Sequence, residues 1–304
     1  MTILDGIREI AGSAKVNYYN YGDDVRQNSM DKVNEAAAIA KKSDLAIVVV
    51  GENPLRYQKS KTCGENIDRM GLDLLGTQNQ LVQKIHETGV PTIVVLVGGR
   101  PLSVNWIAQN VQALVQAWEP GSLGGRALAN ILAGKVNPSA KLPISIPRHS
   151  GQIQMIYNHK PSQYFHKYID GPSTPLYPFG FGLSYTRFAY SSLKLSHTRI
   201  SDKDSFTASI ELTNVGDREG TEVVQLYIRD IYSSATRPVK ELKDFARVTL
   251  KPGEKKTVTF TVTPDKLAYW NRNMQYGVEK GEFEIMIGSS SQDKDLKKVK
   301  MEVL

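Results

Sequence analysis

Two short apolar runs limit how this chain can fold. Leu45–Val50 (LAIVVV) and Thr92–Val97 (TIVVLV) are rich in β-branched residues and do not alternate with polar ones. Such runs fit strands buried on both faces, which belong to parallel sheets covered by helices. The flanking sequence supplies those helices. Asp31–Lys42 (DKVNEAAAIAKK) is Ala-rich, with an acidic start and a basic end that suit the helix dipole. Thr77–Glu87 reads as the next helix, closed by Gly89. Ser103–Gln109 reads as a short helix, Ala113–Trp118 as a strand, and Gly124–Leu132 as a helix closed by Gly134. Val16–Tyr21 reads as a strand and Leu142–Ile146 as a last one. Strands and helices alternating at this spacing predict a largely parallel α/β sandwich.

The rhythm changes twice. Residues 149–187 are rich in Tyr, His, Pro and Gly, as expected of an aromatic connecting strap packed on a domain surface rather than a free linker. From Phe188 onward only strands and turns are visible. Phe206–Leu212, Val223–Ile228 and Thr257–Val262 alternate apolar and polar residues, with turn signals at GDREG, KPGE and KGE. This predicts an antiparallel β-sandwich of about seven strands. The expected organisation is an α/β domain over 1–148, the strap over 149–187 and the sandwich over 188–304.

Composition removes several function classes. Apolar residues make up 40% and charged residues 23% of 304, a globular balance. The longest apolar run has far fewer than the roughly 20 residues of a membrane helix. The first residues (MTILDGIREIAGSA) carry charges where a signal peptide needs an apolar core, so no signal is expected there and the compartment stays open. The net charge of +7 is spread as +4 before Arg187 and +3 from it onward, with no dense basic stretch interleaved with aromatics. It reads as solubility rather than a nucleic-acid footprint. Cys63 is the single cysteine, so no disulfide forms within the chain. The five histidines show no metal-ligand spacing, and neither a metal site nor a cofactor is expected.

In open α/β sheets, ligands bind beyond the carboxyl ends of the strands. The segment 51–76 leaves such an end and runs about 25 residues to the next helix, where roughly 2–6 is normal. It carries Glu52, Glu65, Asp68, Arg56 and Arg69. Carboxylates with arginine neighbours can do general acid/base work; equally, such a loop can be a solvated surface with ordinary charge pairs. The glycines at 98–99 and 121–125 fit neither dinucleotide nor phosphate-loop patterns, and read as tight strand-to-helix turns.

Several segments together resemble a known family: GE at 51–52, E-x-x-D-R at 65–69 followed by LDLLGTQ, GGRPL at 98–102, AWEPGSLGG at 117–125, NPSAKLPISIPR at 137–148, YPFGFGLSYT at 177–186 and RPVKELKDF at 237–245. Their order and spacing resemble the C-terminal part of bacterial glycoside hydrolase family 3 β-glucosidases of the periplasmic type. Leu75 departs from that pattern, which often has Pro there. The resemblance implies an α/β sandwich followed by a fibronectin type III-like domain, and a (β/α)₈ barrel that would precede Met1, in cis or in trans. It implies retaining hydrolysis of terminal β-linked glucose, or of xylose, from an oligosaccharide substrate, with the nucleophile on the barrel. The implied acid/base is Glu65, with Glu52 as second choice, and Asp68 and Arg69 orienting the loop. Alone, the chain is expected to have little or no activity. A non-catalytic docking module, a homodimer through the β-sandwich and a stand-alone α/β enzyme are the other readings. For the full-length enzyme the resemblance implies a periplasmic or secreted location.

Overall fold

The computed structural model describes residues 1–53, 60–67, 69–161 and 168–304. These form two compact units, Met1–Val136 with Pro147–Ile153, and Asn137–Ile146 with Gln154–Leu304.

In chain order the first unit contains α1 (Ile3–Ile10), α2 (Met30–Ala40), β1 (Ala46–Gly51), α3 (Gln78–His86), β2 (Thr92–Val97), α4 (Asn105–Asn110), β3 (Ala113–Trp118) and α5 (Gly124–Leu132). The strands form a parallel sheet in the order β1-β2-β3, with Ala46 opposite Thr92 and Ile93 opposite Ala113. Central β2 buries Val94, Val95 and Leu96. Helix α2 turns Val33, Ala36, Ala37 and Ala40 inward, one stripe at helical spacing, and packs on α3. Helix α3 buries Leu81, Val82 and Ile85 and lies against β1 and β2.

Helix α1 was not expected as an element, yet its start is written in the sequence. The Thr2 hydroxyl accepts from the Asp5 amide, and the Asp5 carboxylate accepts from the Thr2 amide, a reciprocal cap. The helix packs on α5, where glycine is required on both sides. A Cβ on Gly6 would lie 2.1 Å from the Gly125 carbonyl oxygen, and one on Gly125 would lie 2.0 Å from that of Thr2.

Three sequence expectations are corrected. Residues 16–21 form no strand; the Tyr19 hydroxyl donates to Glu35 and Tyr21 pairs with Thr77, so side chains anchor the segment instead of a ladder. Leu142–Ile146 does not join the parallel sheet. It lies in the other unit, where Ile146 bridges antiparallel to Tyr177. Pro143 and Pro147 lack the amides that a central strand must donate. Finally, β1 is an edge strand of this sheet, and Val49 is 45% exposed rather than buried.

The second unit contains β4 (Phe188–Tyr190), β5 (Lys194–Leu195), β6 (Arg199–Ile200), β7 (Phe206–Asn214), β8 (Gly220–Asp230), β9 (Glu241–Leu250), β10 (Lys255–Val262), α6 (Pro264–Leu267), β11 (Tyr269–Trp270), β12 (Tyr276–Gly277), β13 (Gly281–Gly288) and β14 (Leu296–Val303). One sheet runs β10-β7-β4, with β5 also on β7; the other runs β6-β14-β13-β8-β9. All pairings are antiparallel except β6 with β14. Between them lies a core that includes Phe206, Ile210, Leu212, Leu226, Phe260, Phe283 and Ile285. Alternation in β7 explains why Phe206, Ala208, Ile210 and Leu212 all face it. The opposite face of β8 is covered as well: Tyr157 stacks on Phe179 at 4.1 Å and meets Tyr227 edge-on. The architecture is therefore an α/β fold followed by a β-sandwich.

Candidate active site

The carboxyl ends of the three parallel strands meet at one edge of the first unit. Strand β1 ends at Gly51 with φ of 142°, where a Cβ would lie 1.9 Å from the Val97 carbonyl oxygen. Gln78 clamps this glycine. Its Oε1 accepts from the Gly51 amide at 2.7 Å, and its Nε2 donates to the Gly51 carbonyl at 3.0 Å and to the Leu75 carbonyl at 3.1 Å. The two ends of the long loop are thereby stapled by one buried side chain. At the end of β3 the pairing skips Ala117, and Trp118 takes a left-handed φ of 53°. Bulges of this kind re-aim the next residue. Here that residue is Glu119, whose carboxylate lies over Gly99.

Glu52 follows Gly51 and turns its side chain inward, where it is 1% exposed. Its Oε1 lies 2.6 Å from Arg69 Nη1. Its Oε2 lies 3.1 Å from Arg100 Nε, an ion pair rather than an aligned hydrogen bond. Burying one carboxylate between two guanidiniums offsets the cost of removing it from water. Arg69 also donates to the Asp73 carbonyl, so it fixes the loop on both sides. Among the described residues Glu52 thus holds arginines, not the backbone amides that a strand-end carboxylate could have held. Cys63 is buried against the same carboxylate. Burial first, and then the neighbouring Glu52 charge, hold its thiol above the ordinary range.

The part of the loop that carries Glu65 is built from backbone anchors. Asn53 and Thr62 are cross-linked twice: the Asn53 amide donates to the Thr62 hydroxyl and the Thr62 amide to the Asn53 carbonyl, each at 2.8 Å. Lys61 is buried, and its Nζ donates to the Glu65 carbonyl at 2.6 Å. A turn follows, closed by the Ile67 amide on the Gly64 carbonyl, with Asn66 at a left-handed φ of 63°. Asparagine tolerates that conformation better than most residues. Glu65 sits inside this turn and is exposed. Arg56 and Asp68 lie outside the described residues. The anchors Lys61 and Gln78, and the partnership of Arg100 with Glu52, escaped the sequence reading; their residue types carry no signal until the loop is closed in space.

Among the described residues, no group of three or more His, Cys, Asp or Glu side chains is placed to hold a metal ion. Nor is any helix there long and apolar enough to cross a membrane.

Residues 1–185 match the glycosyl hydrolase family 3 C-terminal domain. The chain belongs to glycosyl hydrolase family 3. Residues 222–291 match the fibronectin type III-like domain. A β-xylosidase of Formosa agariphila is 45% identical over all of this chain, which covers 42% of that protein. The periplasmic β-glucosidase of Salmonella typhimurium is 41% identical over 85% of the chain, which covers 34% of that protein. The solved structure of a β-glucosidase from Listeria innocua in complex with glucose superimposes over the whole chain with a TM-score of 0.89 at 32% identity; the chain covers 42% of it. The family 3 chain thus spans well under half the length of these relatives. Its two matched domains agree with the α/β and fibronectin type III-like halves that the sequence motifs implied.

Proposed function

We propose that this chain supplies the proton-transfer half of a retaining β-glycosidase, with Glu65 as general acid/base. The nucleophilic carboxylate would come from a (β/α)₈ barrel outside these 304 residues. Protonated Glu65 would donate to the glycosidic oxygen while the nucleophile attacks the anomeric carbon. The resulting carboxylate would then take a proton from the water that releases the sugar. The observation that carries this reading is the contrast between the two candidate glutamates. Glu52 is sealed between Arg69 and Arg100, with almost no surface to offer a substrate. Glu65 is exposed on a turn whose flanks are fixed by Lys61, Asn53 and Arg69. We therefore assign Glu52 and Arg69 to holding the loop, and carry Asp68 with them as a loop-orienting residue.

The substrate class is a terminal β-linked sugar of an oligosaccharide, with glucose as the first reading. Xylose is the second, favoured by the Formosa agariphila relative. A periplasmic location is supported by the Salmonella relative's name. Docking on a barrel in trans is supported by apolar side chains left open on the first unit, Met70 and Leu123 among them. The test mixes this chain with a separately expressed family 3 barrel and follows release of glucose or xylose from aryl glycosides. Activity should need both components and should collapse with Glu65→Gln. Vigorous turnover by this chain alone would contradict the assignment.

A further inference from the structure

The second unit contains a cavity of about 440 Å³ beside β4, β8 and β14, lined by none of the residues of the Glu65 loop. That volume lies within the range of small-ligand sites. Its wall includes an ion pair withdrawn from water: Lys141 Nζ lies 2.8 Å from Glu222 Oε1, with both side chains at most 13% exposed. The same Glu222 oxygen also accepts from the Val223 amide. Its second oxygen, Oε2, accepts no hydrogen bond among the described residues. Burial pushes the Glu222 carboxyl up, against the opposing pull of Lys141. Nearby, the Tyr190 hydroxyl is buried with no partner among the described residues. A buried polar group left unpaired costs about 1–3 kcal/mol, so this wall is polar at a cost to stability.

The exposed part of the lining is basic. Arg187, Lys294 and Lys297 line the cavity and are exposed. None of the three forms an ion pair among the described residues. Their neighbours behave differently: Lys298 pairs with Glu284 and Asp293, and Lys300 with Glu282. Of the acids lining the cavity, Glu222 is taken by Lys141, and Asp295 accepts the Ser290 hydroxyl at 2.6 Å. Three unneutralised cations therefore line a cavity that is also lined by the Glu222 carboxylate and by Phe181 and Phe188. A ligand that satisfies both must be anionic at one end, carry a hydroxyl donor at the other and offer C–H surface to the rings. Inorganic phosphate offers no C–H surface to the rings, and a neutral sugar leaves the cations unused.

We infer that this cavity binds a uronic-acid sugar, its carboxylate at Arg187, Lys294 and Lys297 and a ring hydroxyl donated to Glu222 Oε2. The site would let the β-sandwich retain the chain on acidic glycans.

The 304-residue chain is titrated calorimetrically with D-glucuronate, methyl β-D-glucoside and inorganic phosphate, at low salt and at 0.3 M NaCl. Glucuronate should bind saturably and at least about tenfold more tightly than the glucoside, as one charge-assisted contact implies. Its affinity should fall with salt. Arg187→Glu with Lys297→Glu changes only exposed side chains; it should weaken glucuronate at least about tenfold and leave the unfolding temperature unchanged. Glu222→Gln should weaken glucuronate and glucoside alike. Absence of saturable binding, equal affinity for glucoside or for phosphate, or an unaffected double variant would each overturn the assignment.

Discussion

The ion pair between Glu52 and Arg69 should be measurable as a coupling energy, because both side chains are largely withdrawn from water. At 2.6 Å and an effective dielectric near 20, the gross attraction is about 6 kcal/mol, much of it offset by desolvation. Removing one partner of a buried pair costs about 3–5 kcal/mol. Arg100 remains beside Glu52 at 3.1 Å when Arg69 is lost, so Arg69→Met should fall at the lower end, about 3 kcal/mol. Glu52→Gln should cost a similar amount, since two guanidiniums then face a neutral amide. The double variant should cost about 2 kcal/mol less than the sum of the singles. The assay is urea unfolding followed by tryptophan fluorescence in a Trp270→Phe background, where Trp106 and Trp118 report on the first unit alone. For a unit of this size, each single variant should also lower the thermal midpoint by about 10 °C. Additive costs, with a coupling below about 0.5 kcal/mol, would refute the claim that this pair ties the loop to the end of β1.

Three further predictions follow from the same geometry. Gln78→Leu strips the Gly51 amide and carbonyl of their partners and should destabilise the first unit by about 2–3 kcal/mol, read in the same urea titration; a loss under about 0.5 kcal/mol would contradict the clamp. The Cys63 thiol should resist iodoacetamide at pH 7.5 in the folded chain and react only as fast as the first unit opens; labelling at the rate of a free thiol would contradict its burial. In the second unit, burial, partly offset by Arg237, pushes the Asp230 carboxyl up to about 6. The folded state then holds a proton between about pH 4 and 6 that the unfolded state has released, so this group's contribution falls as pH rises through that window. After solvent screening it amounts to about 2 kcal/mol, and Asp230→Asn should reduce the fall in stability across that window by about that amount in unfolding titrations; an unchanged slope would refute it.

The parts of the fold legible in the sequence were those set by local pattern. The unbroken run Thr92–Val97 became β2 over those same residues, and the helix read at Gly124–Leu132 is α5. In the sandwich, alternation placed strands inside β7, β8 and β10. The failures came where partners at long range decide. Val16–Tyr21 has strand-like residues but no neighbour to pair with, and its tyrosines are held by Glu35 and Thr77 instead. At 142–146 the sequence reads as a strand, but Pro143, and Pro147 just beyond it, have no amide to donate to a sheet ladder. At the site, the length of the 51–76 loop was enough to mark it as unusual and to single out Glu52, Glu65 and Arg69 as candidates; of these, Glu52 and Arg69 meet as an ion pair. The partnership of Arg100 with Glu52 spans 48 positions of sequence and obeys no local rule. The cavity next to Glu222 was equally silent, since Lys141, Tyr190 and Lys297 come together only once the strands have paired.

The central claim, that Glu65 is the proton donor, is tested most directly in a chimera. The matched segment of the Salmonella typhimurium β-glucosidase is replaced by this chain, and aryl glycosides with good and poor leaving groups are compared. Glu65→Gln should slow the poor leaving group by about 10²–10⁴-fold, spare the first step for the good one, and respond to added azide by forming the β-glycosyl azide. A Glu65→Gln chimera that keeps its full rate on the poor leaving group, while Glu52→Gln loses it and is rescued by azide, would contradict the account.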